Sequence, residues 1–208
     1  EGSYISSSHS DVDTFFQIKI NENNSQLFYF ENDSLKFEQN FDFGTNIILR
    51  DISKITSLKI DVVKKIIKSN KLSDKTTDDQ FVEEELFENE NFRKIKKKLI
   101  FEIAKARIQE MSNILIFKNI NLVNFVKKKQ ILFLKISDKN NLKCFEENYE
   151  LIFSKKDLLN VRWLDDIKIE SLIDCLNRLI HFGWKKEAIP VIQEKKSIIA
   201  RFFDTLFS

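Results

Sequence analysis

The chain has 208 residues, with 34 Lys plus Arg against 32 Asp plus Glu and a formal net charge of +2, which is length enough for one or two packed domains. So even a charge balance leaves no excess to hold a phosphate backbone, and nucleic acid is not an expected partner. Three glycines stand far apart at Gly2, Gly44 and Gly183 and no GxGxxG, GxxxxGK[ST] or GxSxG occurs, so Walker NTPases, Rossmann dehydrogenases and nucleophile-elbow hydrolases lack their signatures.

Residues 1–10 are polar and loop-like. Three strands are then predicted in succession. Residues 15–20 alternate with Phe16, Ile18 and Ile20 on one face, residues 26–30 are short and aromatic, and residues 34–43 alternate Leu35, Phe37, Gln39, Phe41 and Phe43. Turns at 21–25 and 31–33 make this an antiparallel meander. After Gly44 the period changes to that of a helix, capped by Asn46 and running through Ile48, Ile52 and Ile55. A second helix at 59–69 groups Val62, Val63, Ile66 and Ile67, and a polar loop follows to residue 79.

The acidic run Glu83, Glu84, Glu85, Glu88, Glu90 and the basic run Arg93, Lys94, Lys96, Lys97, Lys98 are expected to be solvated helix faces. Residues 92–117 read as one long helix on Ile95, Leu99, Ile103, Ala106 and Met111. A strand is predicted at 131–136 and a short one at 151–153. A helix at 171–182 would carry Leu172, Leu176, Leu179 and Ile180 on its core face and stop at Gly183.

Residues 184–196 form a polar tether to a last helix, 197–208. At about 100° per residue, Ile198, Ile199, Phe202, Phe203, Leu206 and Phe207 sweep one half of that helix, and Arg201, Asp204 and Thr205 take the other. Such a stripe suits either a core or a membrane interface. Its place after a tether, with Lys185, Lys186, Lys195 and Lys196 ahead of it and large aromatics on the apolar face, suits the interface.

Cys144 and Cys175 have no zinc spacing with His9 or His181, no metal site is expected, and two unframed cysteines suit a reducing, cytoplasmic setting. His181 has no nucleophile paired with it by spacing, and no catalytic residue is assigned. No apolar run approaches the roughly 20 residues of a spanning helix. Starting at Glu1 instead of Met, the chain is expected to be a fragment.

Strand, turn, strand, turn, strand, Gly, helix is the order of the repeating half of an actin-like ATPase. The segment 42–53, with Gly44, Asn46, Ile48, Asp51 and Ile52 in place, resembles the Gly-Gly-Asn-His-Ile-Thr-Asn-Asp-Ile-Ala block of the bacterial cell-division family FtsA. Residues 103–111, with Arg107 and Glu110, are similar to that family's Ile-Ile-x-x-Arg-x-x-Glu-Ile helix. A tether and a short amphipathic helix follow in both. The resemblance implies an α/β fold: a mixed sheet with packed helices, forming an actin-like (ribonuclease H-like) half from residues 1–46 and 99–183. It further implies an inserted subdomain at 47–98, and membrane targeting by 197–208 through Lys195, Lys196, Ile198, Ile199, Arg201, Phe202, Phe203, Leu206 and Phe207. The implied partners are the C-terminal tail of the tubulin-like FtsZ, anionic inner-membrane lipids and further copies in a filament, on the cytoplasmic membrane face at the division site.

The family's phosphate loop, Asp-x-Gly-Gly-Gly-Thr-Thr, falls on residues 19–25, where Lys19 replaces the acid and Asn21, Glu22, Asn23, Asn24 and Ser25 replace the glycines and threonines. The adenosine-side glycines would fall near Ser137. ATP with magnesium, the cofactor that a retained family function would use, is therefore expected to bind weakly or not at all, because side chains obstruct backbone approach and Glu22 repels phosphate. A degenerate FtsA-like tether is the leading reading. Its alternatives are an active actin-like ATPase and an actin-like assembly protein of another membrane machine, such as a type IV pilus.

Overall fold

The computed structural model describes residues 12–32, 34–69, 80–87, 91–127, 129–137, 145–155, 158–164 and 169–178. Two compact units divide the chain, one spanning residues 4–165 and the other beginning at Asp166. The first unit is built on a five-stranded mixed sheet, and the α/β class expected from the sequence is the class observed. Strands β1 (Phe15–Ile20), β2 (Ser25–Glu31) and β3 (Ser34–Phe41) form the expected antiparallel meander, with β1 and β2 in register from Phe15 opposite Phe30 to Ile20 opposite Ser25. Strand β4 (Gln130–Ile136) adds parallel to β1, and β5 (Leu159–Trp163) parallel to β4, in the order β3-β2-β1-β4-β5.

Central position explains why β1 reads FFQIKI and buries nearly every residue: both of its faces are covered. One face carries Phe16, Ile18, Ile20, Leu27, Tyr29, Leu132 and Leu134 into a core shared with the helices, while Phe15, Phe30 and Phe133 join Val12 in a smaller cluster. Phe15 stacks on Phe30 at 4.8 Å and meets Phe133 edge-on at 5.3 Å, the offset geometries that aromatic quadrupoles favour.

Helices α1 (Asn46–Thr56), α2 (Ile60–Lys68), α3 (Lys97–Ser112) and α4 (Glu146–Ser154) belong to this unit. Residues Ile48, Leu49 and Ile52 of α1 and Val62, Val63, Ile66 and Ile67 of α2 are part of the same buried cluster as the sheet. The second unit contributes α5 (Ile169–Arg178) to the described residues. Its Ile169, Ile173 and Leu176 are at least half exposed, so Leu176 is not the core residue expected. Cys175, Leu172, Leu179, Ile180 and Gly183, the tether and the 197–208 helix with all its membrane-face residues lie outside the described residues or side chains.

Several expectations are corrected. Leu35 does not share a face with Phe37: Tyr29 opposes Phe37 but Phe30 opposes Leu35, which leaves Lys36 as an extra residue in a bulge and Leu35 half exposed. The strand expected at 151–153 is part of α4, which buries Tyr149, Ile152 and Phe153 at i, i+3 and i+4 and exposes Leu151. A three-residue apolar run does not distinguish the two periods.

The long helix begins at Lys97 and passes at residues 113–117 into a wider turn. Of the expected stripe, Ile95, Ile103 and Met111 are buried, and Ile100, Phe101, Ala104 and Ile108 are buried with them, whereas Leu99 and Ala106 are exposed. Before it, Val82 N donates to Ile95 O and Lys97 N to Gln80 O, both at 2.9 Å. Most described residues of the charge runs are exposed as expected, among them Glu84, Glu85, Arg93, Lys94 and Lys96, but they precede the long helix instead of forming a helix face, and Glu88 and Glu90 lie outside the described residues. Lys97 is buried and paired with Glu83 at 2.7 Å, and Arg93 donates to Ser57 O at 2.7 Å. Ile55, expected on the core side of α1, is exposed.

Tyr29 donates its hydroxyl to Glu31 Oε1 at 3.3 Å. Burial first, and then the Glu31 carboxylate, raise its pKa above the ordinary 10.0. Ionisation is harder in the folded chain than in the unfolded one, so the stability this gives is full below the unfolded value and is lost as pH rises through the folded value. Tyr29→Phe should flatten the alkaline decline in stability between about pH 9 and about pH 11, read from denaturant midpoints.

Candidate functional site

The turn between β1 and β2 lies against the start of α1. Gly44 makes this possible: a Cβ there would overlap the Asn21 carbonyl oxygen and stand 2.7 Å from Glu22 C and 2.8 Å from Asn23 N. With no side chain in the way, Thr45 N donates to Asn21 O and Asn46 N to Glu22 O, both at 2.9 Å. Two of the backbone donors that every helix start leaves without intrahelical partners are therefore occupied by turn carbonyls. Asn46 is not the cap. It is the first residue of α1, and its amide donates to Asn23 Oδ1 at 2.9 Å.

The remaining turn residues expected at a nucleotide are brought together in the same small region, engaged with one another. Asn21 Nδ2 donates to Asn24 Oδ1 at 2.6 Å and Asn21 N to Asn24 O at 2.9 Å. Ser25 is fully buried and donates its hydroxyl to Phe43 O at 2.7 Å, which ties β2 to the strand leading into Gly44. Side-chain amides thus cross-link the turn.

Ser137 arrives at the same end of the sheet, its N–H donating to Ile20 O at 2.9 Å. Next to it, the parallel register sets Lys135 of β4 directly opposite Lys19 of β1. Lys135 is almost fully buried. Sequence reasoning found Lys19 and missed this partner, because a parallel register between distant strands leaves no local signal. Lys19 and Lys135 thus stand side by side on adjacent strands at this end of the sheet. These residues do not fit a magnesium–nucleotide complex, since a hard cation needs oxygen ligands and is repelled by lysines.

The two motifs that carry the resemblance meet elsewhere. Arg107 of α3 donates Nε to Asp51 Oδ2 of α1 and Nη1 to Glu110 Oε2, the second at 2.6 Å. Arg107 and Asp51 side chains are each 23% exposed, which makes this fork a partly desolvated clamp between the two helices. Among the described residues, no group of three or more His, Cys, Asp or Glu is placed to hold a metal ion, and no helix is long and apolar enough to cross a membrane.

No protein-family model and no curated protein matches the sequence. Solved structures show a partial similarity, at TM-scores below 0.5. MreB5 of Spiroplasma citri bound to AMPPNP is 12% identical over 90% of this chain and 60% of that one, with a TM-score of 0.48. The ethanolamine utilization protein EutJ from Carboxydothermus hydrogenoformans is 8% identical over 78% and 48%, with a TM-score of 0.47. A chain of the PilM–PilN type IV pilus biogenesis complex is 9% identical over 79% and 40%, with a TM-score of 0.45. These neighbours are members of the actin-like ATPase superfamily. The chain spans between 40% and 60% of the length of the structures it is similar to.

Two substitutions check the site's architecture. Gly44→Ala should cost about 3 kcal/mol, because backbone on both sides must move to admit a methyl group, and should lower the denaturation midpoint without changing the cooperativity. For the clamp, a double-mutant cycle of Asp51→Asn and Arg107→Gln should return a coupling of about 1–2 kcal/mol in denaturant titration.

Proposed function

We propose that this chain is part of an actin-like protein that works as a scaffold and has lost nucleotide chemistry. In this reading it is an FtsA-like tether that links the FtsZ ring to the cytoplasmic membrane at the division site. The observation that carries the loss of ATP is the pair Lys19 and Lys135, opposite each other at the end of the sheet beside the asparagine-linked turn. The FtsA-like part is supported by the residues of the resemblance, Gly44 packed on the turn and Asp51 held by Arg107 and Glu110. Membrane attachment belongs to residues 197–208, FtsZ-tail binding to the 47–98 region, and side-by-side copies would multiply weak lipid contacts into firm attachment.

Sedimentation with anionic liposomes tests the tether. Burial of the apolar stripe is worth several kcal/mol at about 25 cal/mol per Å², and each nearby Lys or Arg adds about 1 kcal/mol on an anionic surface. Phe203→Glu should release the chain to the supernatant, whereas Thr205→Glu, on the polar side, should leave most of it in the pellet. Equal pelleting of both variants refutes the membrane role. Calorimetry with ATP and magnesium should show no low-micromolar binding, and such binding would return the chain to the ATPases.

A further inference from the structure

Strand β5 is the last strand of the sheet, and among the described residues no strand pairs with its outer edge. Beside that edge runs a groove of about 630 Å³. One wall is the outer face of α4, where Glu147, Glu150 and Leu151 line it, and the floor is Leu159, Asn160 and Val161 of β5 itself. Leu151 is 64% exposed, a large apolar side chain standing over an open strand. Glu147 and Glu150 are exposed, and among the described residues neither carboxylate has a hydrogen-bond or ion-pair partner. Lys129 also lines the groove, so two carboxylates face one ammonium group and the lining is acidic.

We infer that this groove takes an extended segment of a partner protein, added to the sheet as a sixth strand along β5, with Lys or Arg side chains facing Glu147 and Glu150 and their aliphatic stems lying against Leu151. The backbone groups of an edge strand supply the affinity in such an addition, and the flanking side chains choose the sequence. Charge decides the occupant. A second copy paired symmetrically through β5 would bring the Glu147 and Glu150 walls of both copies to the same side of the joined sheet, where like charges oppose association. A basic strand meets the same wall with attraction. This inference uses the β5 groove alone and does not depend on the membrane-tether reading.

Fluorescence anisotropy on the full chain tests it with a labelled nine-residue peptide of alternating Lys and Val. Three controls accompany it: the Glu–Val counterpart, a Lys–Val peptide N-methylated at alternate residues, and the exposed double variant Glu147→Lys/Glu150→Lys with its fold checked by circular dichroism. The Lys–Val peptide should bind, and the double variant should weaken it by about tenfold from the loss of two exposed charge pairs. The Glu–Val and N-methylated peptides should not bind. Absence of Lys–Val binding, or equal binding by the N-methylated peptide or by the double variant, overturns the proposal. So does a dimer in sedimentation that Val161→Pro abolishes, since a second copy would then own the edge.

Discussion

The close approach of Gly44 to the β1–β2 turn is the constraint on which the rest of this structure depends. A helix start leaves backbone donors without intrahelical partners, and a tight turn leaves carbonyls in the same condition. Here each supplies what the other lacks, through Thr45 and Asn46 donating to Asn21 and Glu22. The match requires backbone against backbone, and any side chain at position 44 would intrude on it. With its first turn so fixed, α1 lies against the sheet with Ile48, Leu49 and Ile52 buried, and Asp51 is presented to Arg107. The clamp in turn holds α3 in the rotation that buries Ile100, Ala104 and Ile108. A contact at the edge of a hairpin thereby orients two helices.

Legibility followed the strength of the local period. Strand β1 and its neighbours were readable because each pairs a two-residue alternation with a turn of Asn, Asp or Ser, and α2 because Val62, Val63, Ile66 and Ile67 admit one helical face only. Strand β5, LNVRW, does alternate, with Leu159, Val161 and Trp163 on the core side and Asn160 and Arg162 between them, but the pattern runs over five residues only and was passed over. The face of α3 was read in part, with Ile103 and Met111 buried as expected, because apolar side chains occur all round it and only packing selects Ile100 over Leu99. The charge runs misled at one pair, for a different reason. Composition predicts solvation, but a lysine next to a glutamate across a chain reversal can be buried as a pair, as Lys97 and Glu83 are.

For the candidate site, the sequence located the turn and the glycine but not what faces them. Asn21, Asn23, Asn24 and Asn46 read individually as turn and cap residues, and their mutual hydrogen bonds arise only because Gly44 brings two segments together. Lys135 carries no sequence signal at all. Its meaning comes from standing opposite Lys19, and that pairing is a property of the β1–β4 register.

The residues shared with the FtsA block and the residues that depart from it therefore do different physical work. Gly44, Asp51, Arg107 and Glu110 act on backbone approach and helix docking, which the fold needs whatever it binds. The asparagine turn acts within its own small region, where Asn21 bonds to Asn24 and Asn46 to Asn23. A glycine turn kept bare for a ligand exposes backbone donors and loses more conformational entropy on folding than other residues do. Asparagines that bond to one another satisfy polar groups within the turn and lower that entropic cost. One glycine contact and one arginine fork are thus enough to set two helices on the sheet.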